Sequence, residues 1–247
     1  FRGAVRVPIA AGPDGHFDHL EPGDPGFTAA HMYGTIRRVL DIWEDFFGRS
    51  IPWHFSAHFD RLELIPIADW ENAQSGYGFI EVGFGETEAG QRHPYALNFD
   101  VLAHELGHSI IFSEVGVPDP GTITAEYRGF QESASDLVAL VAVLHFDTVV
   151  DRLLRQSKGN LYTLNELNRI GELSETEQVR TASNMFRMSD VADVTTPPDA
   201  LSQHELHRLG QRPGGGGQVL GSRRELALDA AHHDRGDQQH AGRRHQG

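Results

Sequence analysis

The chain has 247 residues, no cysteine and a formal net charge of −14. This length suffices for one large domain or two modest ones, each with its own core. Without cysteine, disulfides and thiolate metal sites are excluded, so a bound metal ion must be held by histidine and carboxylate. The negative charge argues against nucleic acid as a partner, and no apolar run is long enough to span a membrane.

The first half of the chain alternates strand-like and helix-like segments. Residues 4–10 predict a short strand. Apolar residues then recur every three or four positions over residues 29–47, which indicates an amphipathic helix that ends at Gly48. Strands are expected at residues 62–68 and 77–84. The aromatic and glycine content of the second strand favours an edge position beside a groove.

Two helices are predicted in the second half. Asp100 is expected to cap a helix over residues 101–112. Glycine and proline indicate a loop over residues 115–124. Residues 129–155 leave little polar face, so they are predicted to form one long, largely buried helix.

Beyond residue 210 the composition changes. Residues 211–247 contain eight glycines, six arginines and four histidines, but no aromatic residue. Such a segment buries too little apolar area to offset the entropy lost on ordering it, so we interpret it as disordered or as translated out of frame. A histidine-rich metal-binding tail or a basic tail is the alternative interpretation.

The strongest chemical signal is the sequence His104-Glu105-Leu106-Gly107-His108, a His-Glu-x-x-His motif inside a predicted helix. Residues four apart lie on one helical face, about 6 Å from each other, so the two imidazoles can bind one ion. Glu105 lies about 100° round the helix, where it can act as general base on a metal-activated water. On its own, the motif also fits an ordinary exposed helix.

A catalytic zinc needs a third protein ligand and one open position. The metzincin pattern would require glycine at 111 and histidine at 114, but the chain has Ile111 and Glu114. The gluzincin pattern takes a glutamate from a second helix, and Glu132 fits because Asp136 follows four residues later to hold a ligand imidazole. Glu126 is less suitable, since an apolar residue stands four positions after it.

These residues resemble the thermolysin-like neutral metallopeptidases of the gluzincin clan. Residues 100–108 are similar to that family's active-site helix, and residues 132–136 resemble its Glu-x-x-Ser-Asp signature. Residues 30–33 are similar to the start of its early long helix. Asn72-Ala73, followed by an aromatic strand, resembles its substrate-binding edge strand. The likeness runs from about residue 29 to 210.

The resemblance implies an α+β protein with the two-lobed zincin fold. An N-terminal α+β lobe with the edge strand and the active-site helix would comprise residues 1–116. A mainly helical C-terminal lobe would comprise residues 117–210, followed by the tail at 211–247. The helices that the family carries after residue 207 are missing, so this lobe is expected to be truncated or divergent.

The resemblance also assigns roles to single residues. Asn72 and Ala73 would contact the backbone of a peptide substrate, and Arg180 would bind a substrate carbonyl, with Arg187 as its competitor for that role. His207, or alternatively Tyr127, would stabilise the oxyanion. Gln131 stands where the family usually carries asparagine, in the position that holds the imidazole of His108.

The sequence thus predicts a zinc metalloendopeptidase that acts on peptides or proteins. Two alternatives stay open: a zinc aminopeptidase on the same scaffold, and a zinc-stabilised domain without turnover. The sequence leaves a calcium site open but offers no residue pattern for one. An extracellular location is suggested by the resemblance alone, since the chain shows no leader typical of secreted proteins, and the oligomeric state is not indicated.

Overall fold

The computed structural model describes residues 2–182, apart from residue 7 and residues 163–164 and 175–176. This part of the chain has four α-helices and seven short strands, a mixed architecture compatible with the α+β class. The helices are α1 (Phe27–Phe47), α2 (Phe99–Glu114), α3 (Ala125–Val143) and α4 (Asp147–Ser157). The strands are β1 (Glu63–Pro66), β2 (Ala73–Gly76), β3 (Phe79–Val82), β4 (Phe84–Glu86), β5 (Arg92–Pro94), β6 (Arg169–Glu172) and β7 (Gln178–Thr181).

Helix α1 confirms the predicted amphipathic helix, although it begins at Phe27. Its buried face includes Met32, Ile36 and Val39, and these side chains pack into the main core. The helix ends where expected, because Gly48 adopts the left-handed conformation with φ of 63°. The three- and four-residue apolar spacing therefore predicted both the helix and the face that it buries.

Strand β3 lies at the centre of a three-stranded sheet, parallel to β1 and antiparallel to β2. The prediction that residues 77–84 form an edge strand was therefore wrong. Ile80 and Val82 are fully buried, and Gly83 is required because a Cβ there would collide with the carbonyl oxygen of Trp70. Glycine marks a close approach of two backbones here, and β2, which begins at Ala73, is an edge of this sheet.

The predicted strand at residues 4–10 was also wrong. Among the described residues of this segment, only Val5 makes a β-bridge, to Ile67. Val5 is exposed, and Pro8 has no N–H with which to continue a ladder. Strands β4 and β5 form a separate antiparallel pair.

Helix α2 confirms the helix predicted over residues 101–112 but not its cap. The cap is Asn98, whose side chain accepts a hydrogen bond from the Val101 N–H at 3.1 Å. Because the helix begins at Phe99, Asp100 lies inside the first turn, where its carboxylate accepts a 3.4 Å hydrogen bond from the Gly171 N–H. Both Asn and Asp are good caps, so sequence preference could not separate them.

The single long helix predicted over residues 129–155 is in fact two helices. Helix α3 ends at Val143, and α4 begins at Asp147 after Phe146 has taken an extended conformation. At this break Phe146 packs edge-to-face on Phe99, with ring centroids 5.2 Å apart. Helix α3 is also less buried than predicted, since 59% of the surface of Leu137 is exposed.

Strands β6 and β7 form an antiparallel hairpin that the sequence did not indicate. Each strand has four residues, and most of these are polar, so no alternation was visible. Ile170 is buried in this hairpin, and Val179 packs against the main core. That core joins α1, β3, α2 and α3. Residues 183–247, which include the whole predicted tail at 211–247, lie outside the described part of the chain.

Candidate metal centre

Helix α2 brings His104 and His108 together on one face. Their Nε2 atoms are 3.1 Å apart, and their rings are perpendicular with centroids 4.7 Å apart. His104 is buried and His108 is partly buried. The four-residue spacing of the motif therefore has the spatial result that was predicted for it.

Helix α3 crosses α2 next to these histidines because two small residues meet at the crossing. A Cβ at Gly107 would lie 2.9 Å from the Cα of Ser135 and 3.1 Å from its Cβ. The glycine of the motif thus permits an approach that any larger residue would obstruct. The sequence carried a signal for this crossing, since Ser133-Ala134-Ser135 is a run of small residues on the partner helix.

The crossing places Glu132 beside both imidazoles. Its Oε2 is 3.3 Å from Nε2 of His104, and its Oε1 is 3.5 Å from Nε2 of His108. In the described part of the chain, these three residues form the one group of His, Cys, Asp and Glu side chains that could hold a metal ion, with ligand atoms within 4.8 Å of each other.

The separations among the two imidazole nitrogens and the two Glu132 carboxylate oxygens are close to those between the ligand atoms of a small tetrahedral ion. Bonds of about 2.0–2.1 Å at tetrahedral angles require ligand atoms about 3.3 Å apart. The observed separations of 3.1, 3.3 and 3.5 Å surround this value. Side-chain exposure of 52% at Glu132, against 6% at His104, indicates that the group opens to solvent on the Glu132 side.

Both imidazoles are held through their second ring nitrogen. Asp136 Oδ1 lies 2.7 Å from Nδ1 of His104, and Gln131 Oε1 lies 3.3 Å from Nδ1 of His108. If each Nδ1–H donates to its oxygen, both Nε2 lone pairs are free for a metal ion. Gln131 thus occupies the place expected for it, and its Nε2 donates a 2.8 Å hydrogen bond to the Tyr127 hydroxyl.

The carboxylates around His104 shift the titration of the site. Burial acts to lower the pKa of His104, but hydrogen bonds to Asp136 and Glu132 outweigh it and raise that pKa to about 9. Burial acts to raise the pKa of Glu132, but the His104 hydrogen bond and the charges of His108 and Arg180 lower it to about 2. A metal ion must therefore displace a proton from His104, so its affinity should rise with pH.

Arg180 is another charged side chain that contacts this group of three residues. From strand β7, its Nη1 donates to Glu132 Oε2 at 3.1 Å and its Nη2 donates to Asp136 Oδ1 at 2.7 Å. Nη2 also lies 3.1 Å from Nε2 of His104. The structure thus brings Arg180 to the site, on a strand that the sequence did not indicate.

Glu105 and Tyr127 lie on the two helices of the site. Glu105 follows His104 directly on α2 and is only 7% exposed. Tyr127 is near the start of α3, where Thr124 caps the helix by accepting from the Tyr127 N–H. Glu126, the less suitable ligand candidate, is exposed in the same turn and is not part of the metal-capable group.

The predicted substrate-binding residues Asn72 and Ala73 lie at the start of strand β2. This strand packs beside α2, and Ser75 Oγ is 2.7 Å from Ser109 Oγ, next to His108 in the chain. The Asn72 carbonyl accepts a 2.9 Å hydrogen bond from the Gly83 N–H. The other two predicted residues, Arg187 and His207, lie outside the described residues.

Comparisons with known proteins do not assign the chain to a group. No protein-family model matches it, and no curated protein matches it either. Within the described ranges, no helix combines the length and the apolar character needed to cross a membrane. The interpretation of the site therefore depends on its own residues.

Proposed function

We propose that the chain is a zinc metallopeptidase of the gluzincin type, with a zincin fold, that hydrolyses internal peptide bonds. The supporting observation is the convergence of His104 Nε2, His108 Nε2 and the Glu132 carboxylate. Two histidines and one glutamate are a recognised ligand set for catalytic zinc, and the absence of cysteine excludes a thiolate site. No other three-residue group of this kind occurs in the part of the chain that the structure describes.

His104, His108 and Glu132 would hold the ion, and Asp136 and Gln131 would orient the imidazoles. Zinc, when bound, would polarise the scissile carbonyl and activate a water molecule. The short hydrogen bond between Asp136 and His104 supports these roles. A carboxylate that accepts from the second ring nitrogen fixes the orientation of the imidazole and makes it a more basic ligand.

Glu105 would act as the general base and then as the general acid. It would accept a proton from the attacking water and transfer it to the leaving amine. Its position next to His104 and its burial support this role, because a buried carboxylate exchanges its proton with the reactants more readily than with bulk solvent.

The substrate would lie along β2 as an added antiparallel strand. The support is that β2 is an edge strand and packs beside the histidine-bearing helix. By resemblance, Asn72 and Ala73 would contact its backbone and Arg180 would bind a carbonyl. Tyr127 or His207 would donate to the oxyanion, a type of contact that contributes about 3–4 kcal/mol.

The test is cleavage of an unstructured protein and of end-blocked peptides by the full chain, with and without a chelator. We expect Glu105→Gln to retain zinc and to lower kcat by about 10²–10⁴-fold. Glu126→Gln, a matched change on an exposed carboxylate, should have little effect. Full activity in Glu105→Gln would refute the assigned role.

End-blocked substrates also separate the remaining alternatives. An aminopeptidase would cleave free peptides but not blocked ones. A zinc-stabilised domain without turnover would bind zinc, fold and cleave neither.

A further inference from the structure

The guanidinium of Arg180 contacts the same two atoms that a metal ion would use. Its Nη2 is 3.1 Å from Nε2 of His104, and its Nη1 is 3.1 Å from Oε2 of Glu132. Strand β7 carries Val179 against the core, so the neighbouring Arg180 points to the opposite side of the strand.

The two contacts of the guanidinium differ in kind. Nδ1–H of His104 donates to Asp136, so a metal ion can bind this ring only through Nε2, after Nε2 has lost any proton that it carries. Nη2 lies 2.9 Å from Nδ1 as well, but two donors form no hydrogen bond with each other. Because Nη2 is almost equidistant from the two ring nitrogens, it lies against the His104 ring and not along the Nε2 lone pair, and its hydrogen bond goes to Asp136. Nη1 donates to Oε2 of Glu132, an atom that a metal ion would use.

The charge of Arg180 opposes metal binding at the Glu132 carboxylate. A guanidinium is permanently positive and has only donors, so it repels a divalent cation held by the same carboxylate. Its position is also incompletely satisfied, because the buried Nε of Arg180 has no hydrogen-bond partner among the described residues. An unpaired buried donor is costly, so the guanidinium can be displaced from this position without losing a fully satisfied network.

We propose that Arg180 is a built-in competitor of the metal ion: it pairs with Oε2 of Glu132, and its positive charge beside His104 lowers the metal affinity of the site. Its single positive charge is shared between the carboxylates of Glu132 and Asp136. This inference uses the metal site of the proposed function but not the hydrolysis.

The test is zinc affinity of the full chain, measured by competition with a chromophoric chelator. Arg180→Met removes the charge and the donors, and we expect it to bind zinc about tenfold more tightly or better. Arg180→Lys keeps the charge on a shorter side chain and should be intermediate. The matched control is Arg152→Met, because Arg152 pairs with Glu166 on the surface and the change removes the same charge. Its affinity should stay within about threefold of wild type.

A second readout is the thermal midpoint of chelator-treated protein. Arg180→Met should lower it more than Arg152→Met does, and added zinc should restore it. Equal or weaker zinc binding by folded Arg180→Met would overturn the proposal. If that variant does not fold, equal or weaker binding by Arg180→Lys would overturn it.

The outcome is separable from that of the proposed function. Failure to cleave peptides, with the order of zinc affinities intact, would remove the peptidase assignment and leave this inference standing. Failure of wild type and all variants to bind zinc would remove both.

Discussion

Gly107 of α2 packs directly on Ser135 of α3, so that a Cβ at residue 107 would lie 2.9 Å from the Cα of Ser135 and 3.2 Å from its carbonyl oxygen. This contact sets the distance between the helix that carries the two histidines and the helix that carries Glu132 and Asp136. The close approach of the two helix backbones therefore contributes to bringing the ligand side chains together.

We expect Gly107→Ala to destabilise the protein by about 1–3 kcal/mol, because the added methyl must push the two backbones apart. The same shift should weaken zinc binding. Chemical denaturation and zinc titration measure the two effects.

Gly34→Ala is the matched control. Gly34 lies within α1, and a Cβ there meets nothing within 4 Å. Ala is the better helix former, so this variant should gain about 0.5–1 kcal/mol. If Gly107→Ala changed the stability in the same way as Gly34→Ala, the close packing of α2 on α3 would be contradicted.

A second prediction concerns Asp136, which binds Nδ1 of His104 at 2.7 Å. Asp136→Ala should lower zinc affinity about 10–100-fold, since the imidazole loses the partner that fixes its tautomer and orientation. Asp151→Ala, at an exposed aspartate of α4, should leave the affinity unchanged. Chelator competition provides the measurement, and equal affinities in the two variants would contradict the role of Asp136.

A third prediction uses the pH dependence of stability. Burial, and to a smaller extent the charge of Glu172, raises the pKa of Asp100 to about 6. A raised carboxyl pKa means that the folded state binds this proton more tightly than the unfolded state. The stabilisation is therefore complete below a pH of about 4 and is lost as the pH rises through 6.

Asp100→Asn removes this titration and keeps an acceptor for the Gly171 N–H. We expect the variant to be about 1–3 kcal/mol more stable than wild type at pH 8, with a smaller change in stability between pH 4 and 6. Denaturant unfolding at several pH values gives both quantities. A variant less stable than wild type at pH 8 would show that the charged carboxylate is favourable there.

The sequence predicted the parts of the site that depend on local periodicity. The spacing of His104 and His108 predicted one shared helical face, and the pair Glu132 and Asp136 predicted which carboxylate would approach them. Helix α1 and the existence of α2 followed from the same helical period.

The features that were missed depend on contacts between distant segments. The break between α3 and α4 coincides with a contact between Phe146 and the distant Phe99, which no local pattern reveals. The central position of β3 follows from pairing with β1 and β2, and the β6–β7 hairpin has too few residues to show alternation. The contact of Arg180 with the ligands arises from that same hairpin.

The most direct test of the central claim is the zinc affinity of Glu132→Ala against that of Glu126→Ala, both in the full chain. The comparison is needed because the chain has 15 histidines, which can bind zinc without forming this site. If His104, His108 and Glu132 hold the ion, Glu132→Ala should lose affinity by about a hundredfold or more, and Glu126→Ala should match wild type. Equal affinities in the two variants would contradict the proposed metal centre.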